Sequence, residues 1–260
     1  MRHWIRGLLN TLGYVVFNTR SERSYARDGL FTYHSAHFRN DPAFQAAYAR
    51  GVKASHGVDP RMEWRFHVAL WVAGAALRTA GDFVECGVNA GFVSSGIMQY
   101  LDWKRVAKQF YLIDTFSGPV LAQYSAEEVL EGRKSIAEEA VSRGAYVTDL
   151  ERVRANYAEW PNTRIVAGAI PDVLPSAGIN SVAFLHLDMN CAYPERAALE
   201  FFWDRLSPGG LALLDDYAYF GNRIQSESID QAARSLGAEV LALPTGQGLI
   251  MKQDLERRRS

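Results

Sequence analysis

Cysteine is scarce in this chain. Only Cys86 and Cys191 occur in 260 residues, too few for a disulfide framework and without a C-x-x-C or Cys/His metal spacing. A reducing, cytoplasmic setting is therefore expected. Net charge is also nearly absent: 28 Lys and Arg against 29 Asp and Glu leave −1. That excludes a strong global field toward nucleic acid or anionic lipid, and the basic run Arg257–Arg259 is too short to alter it. No stretch approaches the roughly 20 uninterrupted apolar residues of a membrane span, so stable membrane insertion is not expected. Internal repeats and low-complexity tracts are missing too.

The first residues carry Arg2, His3 and Arg6 ahead of Leu8, Leu9, Leu12, Val15, Val16 and Phe17. Asn10, Thr11 and Gly13 interrupt this run, and no small-residue cleavage site follows, so it does not read as a signal peptide. It reads as a helix docked on the domain or on a partner, with a membrane-surface helix as the alternative. Residues 1–60 are expected to form a helical N-terminal extension, including a helix after the Asp41-Pro42 cap signal. Residues 61–260 are expected to form one α/β domain, opened by an amphipathic helix over Arg61–Thr79.

What the chain has in quantity is alternation. Short apolar runs at Asp82–Cys86, Phe110–Ile113, Arg164–Val166, Val182–Leu187 and Leu211–Leu214 are separated by helix-prone stretches, among them Phe92–Leu101, Pro194–Leu206 and Ser226–Leu236. Strands alternating with helices of this length predict a mostly parallel sheet covered on both faces, a Rossmann-like fold. Two closing strands, Glu239–Leu243 and Gly248–Lys252, flank Pro244-Thr245-Gly246-Gln247 and read as a hairpin. The expected sheet thus has seven strands, the last of them antiparallel.

Ligands of such sheets sit beyond the carboxyl ends of the strands, and polar residues concentrate there. The first strand runs into Glu85-Cys86-Gly87-Val88-Asn89-Ala90-Gly91, the second into Asp114-Thr115-Phe116, the fourth into Asp188-Met189-Asn190 and the fifth into Asp215-Asp216-Tyr217. The turn around Gly87 and Gly91 lets a ligand approach backbone and helix N–H groups. It is not G-x-G-x-x-G. Glu85 would repel a pyrophosphate but suits an ammonium, such as that of the methionine half of S-adenosylmethionine. Asp114 stands where an acid accepts ribose hydroxyls of an adenosine, which NAD enzymes share. Asp188, Asp215 and Asp216 are expected to converge on one edge of the pocket. Three crowded carboxylates call for a cation, and hard oxygen ligands suit Mg²⁺; the competing reading makes one a helix cap and pairs another with an arginine. His186, inside a strand, reads as a core residue rather than a general base.

Taken together, Val84-Glu85-Cys86-Gly87-Val88, Leu112-Ile113-Asp114-Thr115-Phe116, Leu187-Asp188, Pro208-Gly209-Gly210 and Asp215-Asp216-Tyr217 resemble the TylF/MycF-type, macrocin O-methyltransferase-like family of class I S-adenosylmethionine-dependent methyltransferases. The resemblance covers roughly Arg61 to Lys252. It implies Mg²⁺-assisted O-methylation of a hydroxyl on a sugar or glycosylated small molecule. Carried over, Glu85, Gly87 and Gly91 would contact the methionine half, Asp114 the ribose, and Gly168-Ala169-Ile170 would lie by the adenine. Met62, in a segment that covers the donor in that family, joins Asn89, Thr115 and Phe116 in the expected donor set. Asp188, Asp215 and Asp216 would be metal ligands, with Asp188 also the general base. The family's second acid and Tyr-Glu pair after Asp188 are replaced here by Met189-Asn190-Cys191-Ala192-Tyr193-Pro194-Glu195. A nicotinamide-dependent oxidoreductase and a catalytically silent donor-binding module are the rival functions. The expected partners are a small-molecule or glycan acceptor and a second copy of the chain in a homo-oligomer, with no nucleic acid.

Overall fold

The computed structural model describes residues 2–14 and 24–253. Val15, Val16, Phe17 and Arg257–Arg259 lie outside the described residues. Helix α1 (Arg2–Thr11) is followed by a small hairpin, β1 (Tyr25–Arg27) and β2 (Leu30–Thr32), and by α2 (Pro42–Ala54) and α3 (Glu63–Ala76). The larger sheet begins at β3 (Asp82–Cys86), followed by α4 (Phe92–Tyr100), β4 (Phe110–Asp114), α5 (Ala126–Leu130), α6 (Arg133–Ser142), α7 (Leu150–Tyr157) and β5 (Thr163–Ala167). It continues through β6 (Val182–Leu187), α8 (Ala192–Trp203), β7 (Leu206–Leu214), α9 (Arg223–Ser235), β8 (Leu241–Ala242) and β9 (Gly248–Met251). Among the described residues no helix is long and apolar enough to cross a membrane.

The sheet order is β5-β4-β3-β6-β7-β9-β8. Strands β3 to β7 pair in parallel, and β9 runs antiparallel between β7 and β8. This is the expected seven-stranded, mostly parallel Rossmann-like sheet with an antiparallel last strand. The order reverses at β3, which is flanked by β4 and β6, so the crevice for a ligand opens there. Strand β6 is buried along its whole length, as a strand covered on both faces must be. Its side chains alternate: Phe184 packs with Phe83, Leu112 and Leu213 under α3 and α4, while Leu185 packs with Val84, Ile113 and Leu214 under α8 and α9.

The hydrogen-bond ladder runs one step past each strand end. Gly87 N–H donates to Ile113 O, Gly168 to Asp114 O, Asp188 to Cys86 O and Asp215 to Leu187 O, each at 2.9 Å. Four positions singled out in the sequence therefore form one row along the carboxyl edge.

Several expectations need correction. The N-terminal extension is not purely helical: Asp28 and Gly29, both at positive φ, make the turn of the β1–β2 hairpin. Leu8 of α1 and Leu12 just after it are exposed, so neither leucine is docked on the domain. Helix α3 is shorter than Arg61–Thr79, because Arg61 adopts a left-handed φ of 55° and its N–H is taken by Asp59 Oδ1 at 2.8 Å. Strand β7 starts at Leu206 and carries Ser207–Gly210 as a bulge, its register shifting between Val182 and Phe184 of β6.

Candidate active site

Three backbone amides meet at one carboxylate. Asp114 Oδ2 accepts the N–H groups of Val88 and Asn89 at 2.7 and 2.8 Å, and Oδ1 accepts that of Phe116 at 2.7 Å. Asp114 thus shapes the turn after β3 as well as its own. Thr115 Oγ1 also lies 3.3 Å from Oδ1, but its single proton has the shorter bond to Gly118 O at 2.6 Å, so of about four acceptor positions one remains for a ligand hydroxyl. Gly87 sits at φ +87°, and a Cβ there would lie 1.8 Å from the Asp188 carbonyl oxygen. Only glycine lets β3 and β6 close at that point. Asn89, at φ 49°, turns its side chain to residues 145–147, accepting from Val147 N–H at 2.8 Å and donating to Ala145 O at 3.0 Å.

Two cavities open from this turn. The first is lined by Gly87, Asn89, Asp114, Thr115, Gly168, Ile170 and Asp188 of the expected set, together with Tyr124, Tyr146 and Met189. The second is lined by Met62, Glu85, Gly87, Asn89, Asp188, Asp215 and Asp216, together with Arg65 and Tyr219. Gly87, Asn89 and Asp188 belong to both. Gly91 and Phe116 line neither. A Cβ on Gly91 would meet the Tyr157 hydroxyl at 1.9 Å, so its constraint is packing. Phe116 is buried in the core beneath α4.

The carboxylates of Asp188, Asp215 and Asp216 each place an oxygen within 4.8 Å of the others. Their surroundings differ. Arg65 Nη1 donates to Asp215 Oδ2 at 2.8 Å and to Asp216 Oδ1 at 3.2 Å, and Gln247 Nε2 donates to Asp215 Oδ1 at 2.7 Å. Burial alone would raise Asp215, but Arg65 and His186 outweigh it and hold the carboxyl well below the usual range. Burial and the neighbouring Asp215 push Asp216 up to about 6. Asp188 is raised well above an ordinary carboxyl, by desolvation first and then by Asp215 and Asp216.

His186 is fully buried, as its strand position predicts, yet it is part of this cluster. Its Nδ1 lies 3.0 Å from Glu85 Oε1 and its Nε2 lies 3.7 Å from Asp215 Oδ1. Burial would lower its pKa, but the nearby carboxylates of Asp215 and Glu85 outweigh it and push it up to about 10. Arg65 and His186 are thus set among four acidic side chains, Glu85, Asp188, Asp215 and Asp216, and crowded acids of this kind are what a divalent cation would relieve.

Sequence reasoning missed Arg65, Asp28, Tyr219 and Tyr146. Arg65 had a signal: it interrupts the buried face of α3 formed by Met62, Phe66, Ala69, Leu70 and Ala73, and a buried arginine needs acidic partners. The others had none, since they reach the site from separate turns. Of the cysteines, Cys86 packs in the sheet core beneath α8 and Cys191 against Tyr124 and Ala137. Burial raises both thiols, which argues against a nucleophile; Cys191 lines the first cavity, whereas Cys86 lines neither.

The geometry agrees with comparisons to known proteins. The chain is 31% identical over 146 residues to an 8-demethyl-8-(2,3-dimethoxy-alpha-L-rhamnosyl)-tetracenomycin-C 4'-O-methyltransferase of Streptomyces olivaceus, covering 53% of each protein. It is 28% identical over 145 residues to the mycinamicin III 3''-O-methyltransferase of Micromonospora griseorubida, covering 53% of this chain and 55% of that protein. The chain spans about half the length of these curated relatives. The solved structure of the O-methyltransferase NovP shares the fold, with a TM-score of 0.63 at 17% identity over 85% of this chain and 100% of that one. The family model described as macrocin-O-methyltransferase (TylF) matches residues 72–241, well over half of the sequence. The chain belongs to the TylF macrocin-O-methyltransferase family.

Proposed function

We propose that this protein is an S-adenosylmethionine-dependent O-methyltransferase that uses Mg²⁺ and acts on a hydroxyl of a sugar or glycosylated small molecule. One observation carries the reading: Asp188 lines both cavities and stands in the acidic cluster, so one carboxylate borders donor space and cation space together. The two curated relatives are named as O-methyltransferases, one of a rhamnosyl tetracenomycin and one of mycinamicin III, which supports a glycosylated acceptor.

In this reading Asp114 binds the ribose and Gly168 and Ile170 border the adenine. Glu85 binds the donor's ammonium; its Oε2 is buried without a hydrogen-bond partner, an unmet acceptor that an ammonium would satisfy. The same unpaired oxygen would repel a dinucleotide pyrophosphate, which disfavours the nicotinamide reading. The all-oxygen donor set of Asp188, Asp215 and Asp216 fits Mg²⁺. S-adenosylmethionine supplies an electrophilic methyl group, and Mg²⁺ lowers the pKa of a coordinated hydroxyl. Asp188, which borders both cavities, would accept the hydroxyl proton. The enclosing walls of Met62, Tyr146 and Tyr219 orient the acceptor and exclude water.

Calorimetric titration of S-adenosylhomocysteine, with Mg²⁺ and then with chelator, tests the donor and metal halves separately. Binding at about micromolar affinity supports the donor site. Its absence removes the proposal. Methyl transfer to a panel of deoxysugar glycosides then separates an enzyme from a silent binding module, because only an enzyme converts bound donor.

A further inference from the structure

Arg65 grips two different parts of the chain. On one edge, Nε and Nη2 donate to Asp28 Oδ2 and Oδ1 at 2.8 and 3.4 Å. On the other, Nη1 donates to Asp215 Oδ2 at 2.8 Å and Asp216 Oδ1 at 3.2 Å. The guanidinium also lies 4.2 Å from the ring centre of Tyr219, whose hydroxyl donates to Asp28 Oδ1 at 2.7 Å. Asp28 is the turn residue of the β1–β2 hairpin, so one side chain ties that hairpin to the acidic edge of the large sheet.

The bonding leaves the three acids unequal. Both oxygens of Asp215 already have donors, Gln247 on Oδ1 and Arg65 on Oδ2. Asp216 gives Oδ1 to Arg65, and Asp188 has no bond to Arg65 at all. A divalent ion that takes an oxygen from each acid at about 2.0–2.1 Å therefore comes up against the guanidinium that bridges Asp215 and Asp216. Arg65 is the donor that can yield, because Asp28 and Tyr219 already hold its far edge, and it is also the one that a nearby cation repels.

We propose that Arg65 is a resident counter-ion that competes with the divalent cation for Asp215 and Asp216, with Asp28 as the anchor toward which it withdraws. Arg65 is thus a positioning residue: it keeps the acids from repelling one another before the cation arrives and lowers the affinity with which the cation is held. Cation binding and the hold on the β1–β2 hairpin are linked through it. The inference rests on the reading that the acidic cluster takes a divalent ion.

The test is Mn²⁺ binding, read by electron paramagnetic resonance of free Mn²⁺ and by calorimetry, on the full chain and three variants. Arg65→Gln should bind Mn²⁺ about tenfold more tightly, since the competing charge is gone. Asp28→Asn should bind it several-fold more weakly, since Arg65 then gives its whole charge to Asp215 and Asp216. Asp188→Asn should lose the site. Opposite signs for the first two variants support the competition, because a merely structural role of Arg65 would weaken binding in both. If Arg65→Gln binds more weakly or equally while the parent binds at an Asp188-dependent site, the competition is overturned and the metal reading survives. If neither the parent nor Arg65→Gln takes up Mn²⁺ through Asp188, the metal reading itself fails and the inference falls with it. Should Arg65→Gln not fold, as judged by circular dichroism, the sign for Asp28→Asn decides alone: unchanged or tighter binding overturns the competition.

Discussion

Asn89 holds residues 145–147 by both ends of its amide, Oδ1 accepting from Val147 N–H at 2.8 Å and Nδ2 donating to Ala145 O at 3.0 Å. Ala145 and Val147 line the second cavity, and Tyr146 and Val147 the first. A residue of the turn after β3 thus carries part of the wall for both. Asn89→Gly keeps the backbone free to adopt the observed φ of 49° while removing both bonds. We expect S-adenosylhomocysteine affinity to fall about tenfold with the fold intact, measured by calorimetry beside a thermal melt. Unchanged affinity would show that the wall holds its place without Asn89.

Gly87 tests the closure of the sheet edge. A Cβ at this position would overlap the Asp188 carbonyl at 1.8 Å, at a φ of +87°. Gly87→Ala should cost roughly 3 kcal/mol through left-handed strain and the forced separation of β3 from β6. Denaturant unfolding measures it, and a loss below about 0.5 kcal/mol would contradict the close approach.

Asp188→Asn separates chemistry from donor binding. The variant keeps the shape of the junction between the cavities but cannot accept a proton and binds a cation poorly. Turnover should drop by at least about a hundredfold, while S-adenosylhomocysteine affinity stays within a few-fold. Unchanged turnover would remove Asp188 as base and as metal ligand together.

Glu195 makes stability depend on pH. It is fully buried; Oε1 accepts Met189 N–H at 2.9 Å and Oε2 lacks a partner. Burial, reinforced by Asp216, pushes its pKa from 4.5 up to about 8. The folded state therefore binds this proton more tightly than the unfolded chain, and stability from this group falls as pH rises from about 4.5 to about 8. Glu195→Gln is neutral throughout and can keep the bond to Met189. Its melting temperature should exceed the parent's by a few degrees at pH 9, a shift of roughly 2–4 °C for each kcal/mol in a domain of this size. The gain should shrink as pH drops toward 5. A gain that does not vary with pH would mean that Glu195 is ionised in the folded protein.

Much of the fold was legible because two-sided burial leaves a simple mark. Val182–Leu187 reads as an apolar run interrupted only by His186 and is a strand over those residues. The same logic locates the acids, since polar residues directly after such runs fall at the carboxyl edge. The β1–β2 hairpin was harder: its strands have three residues each, too short for a period to register, and only Asp28-Gly29 marks the turn. Strand β7 misled in another way. Ser207-Pro208-Gly209-Gly210 has the composition of a turn but is carried as a bulge, because Gly209 N–H bonds to Lys252 O and Lys252 N–H to Gly210 O.

By itself the sequence determined the layered sheet, the glycine turn after β3 and the row of acids, since each depends on near neighbours in the chain: apolar period, glycine at a turn, a carboxylate after a strand. Only the tertiary structure decided how those acids are balanced. Arg65 lies 150 residues from Asp215, and His186 lies 101 from Glu85. Such pairs leave no periodic trace; they exist because α3 packs across the strand ends and because β6 lies between β3 and β7. The acids were legible from local pattern, whereas their charge state depends on partners that only packing brings within a few ångströms.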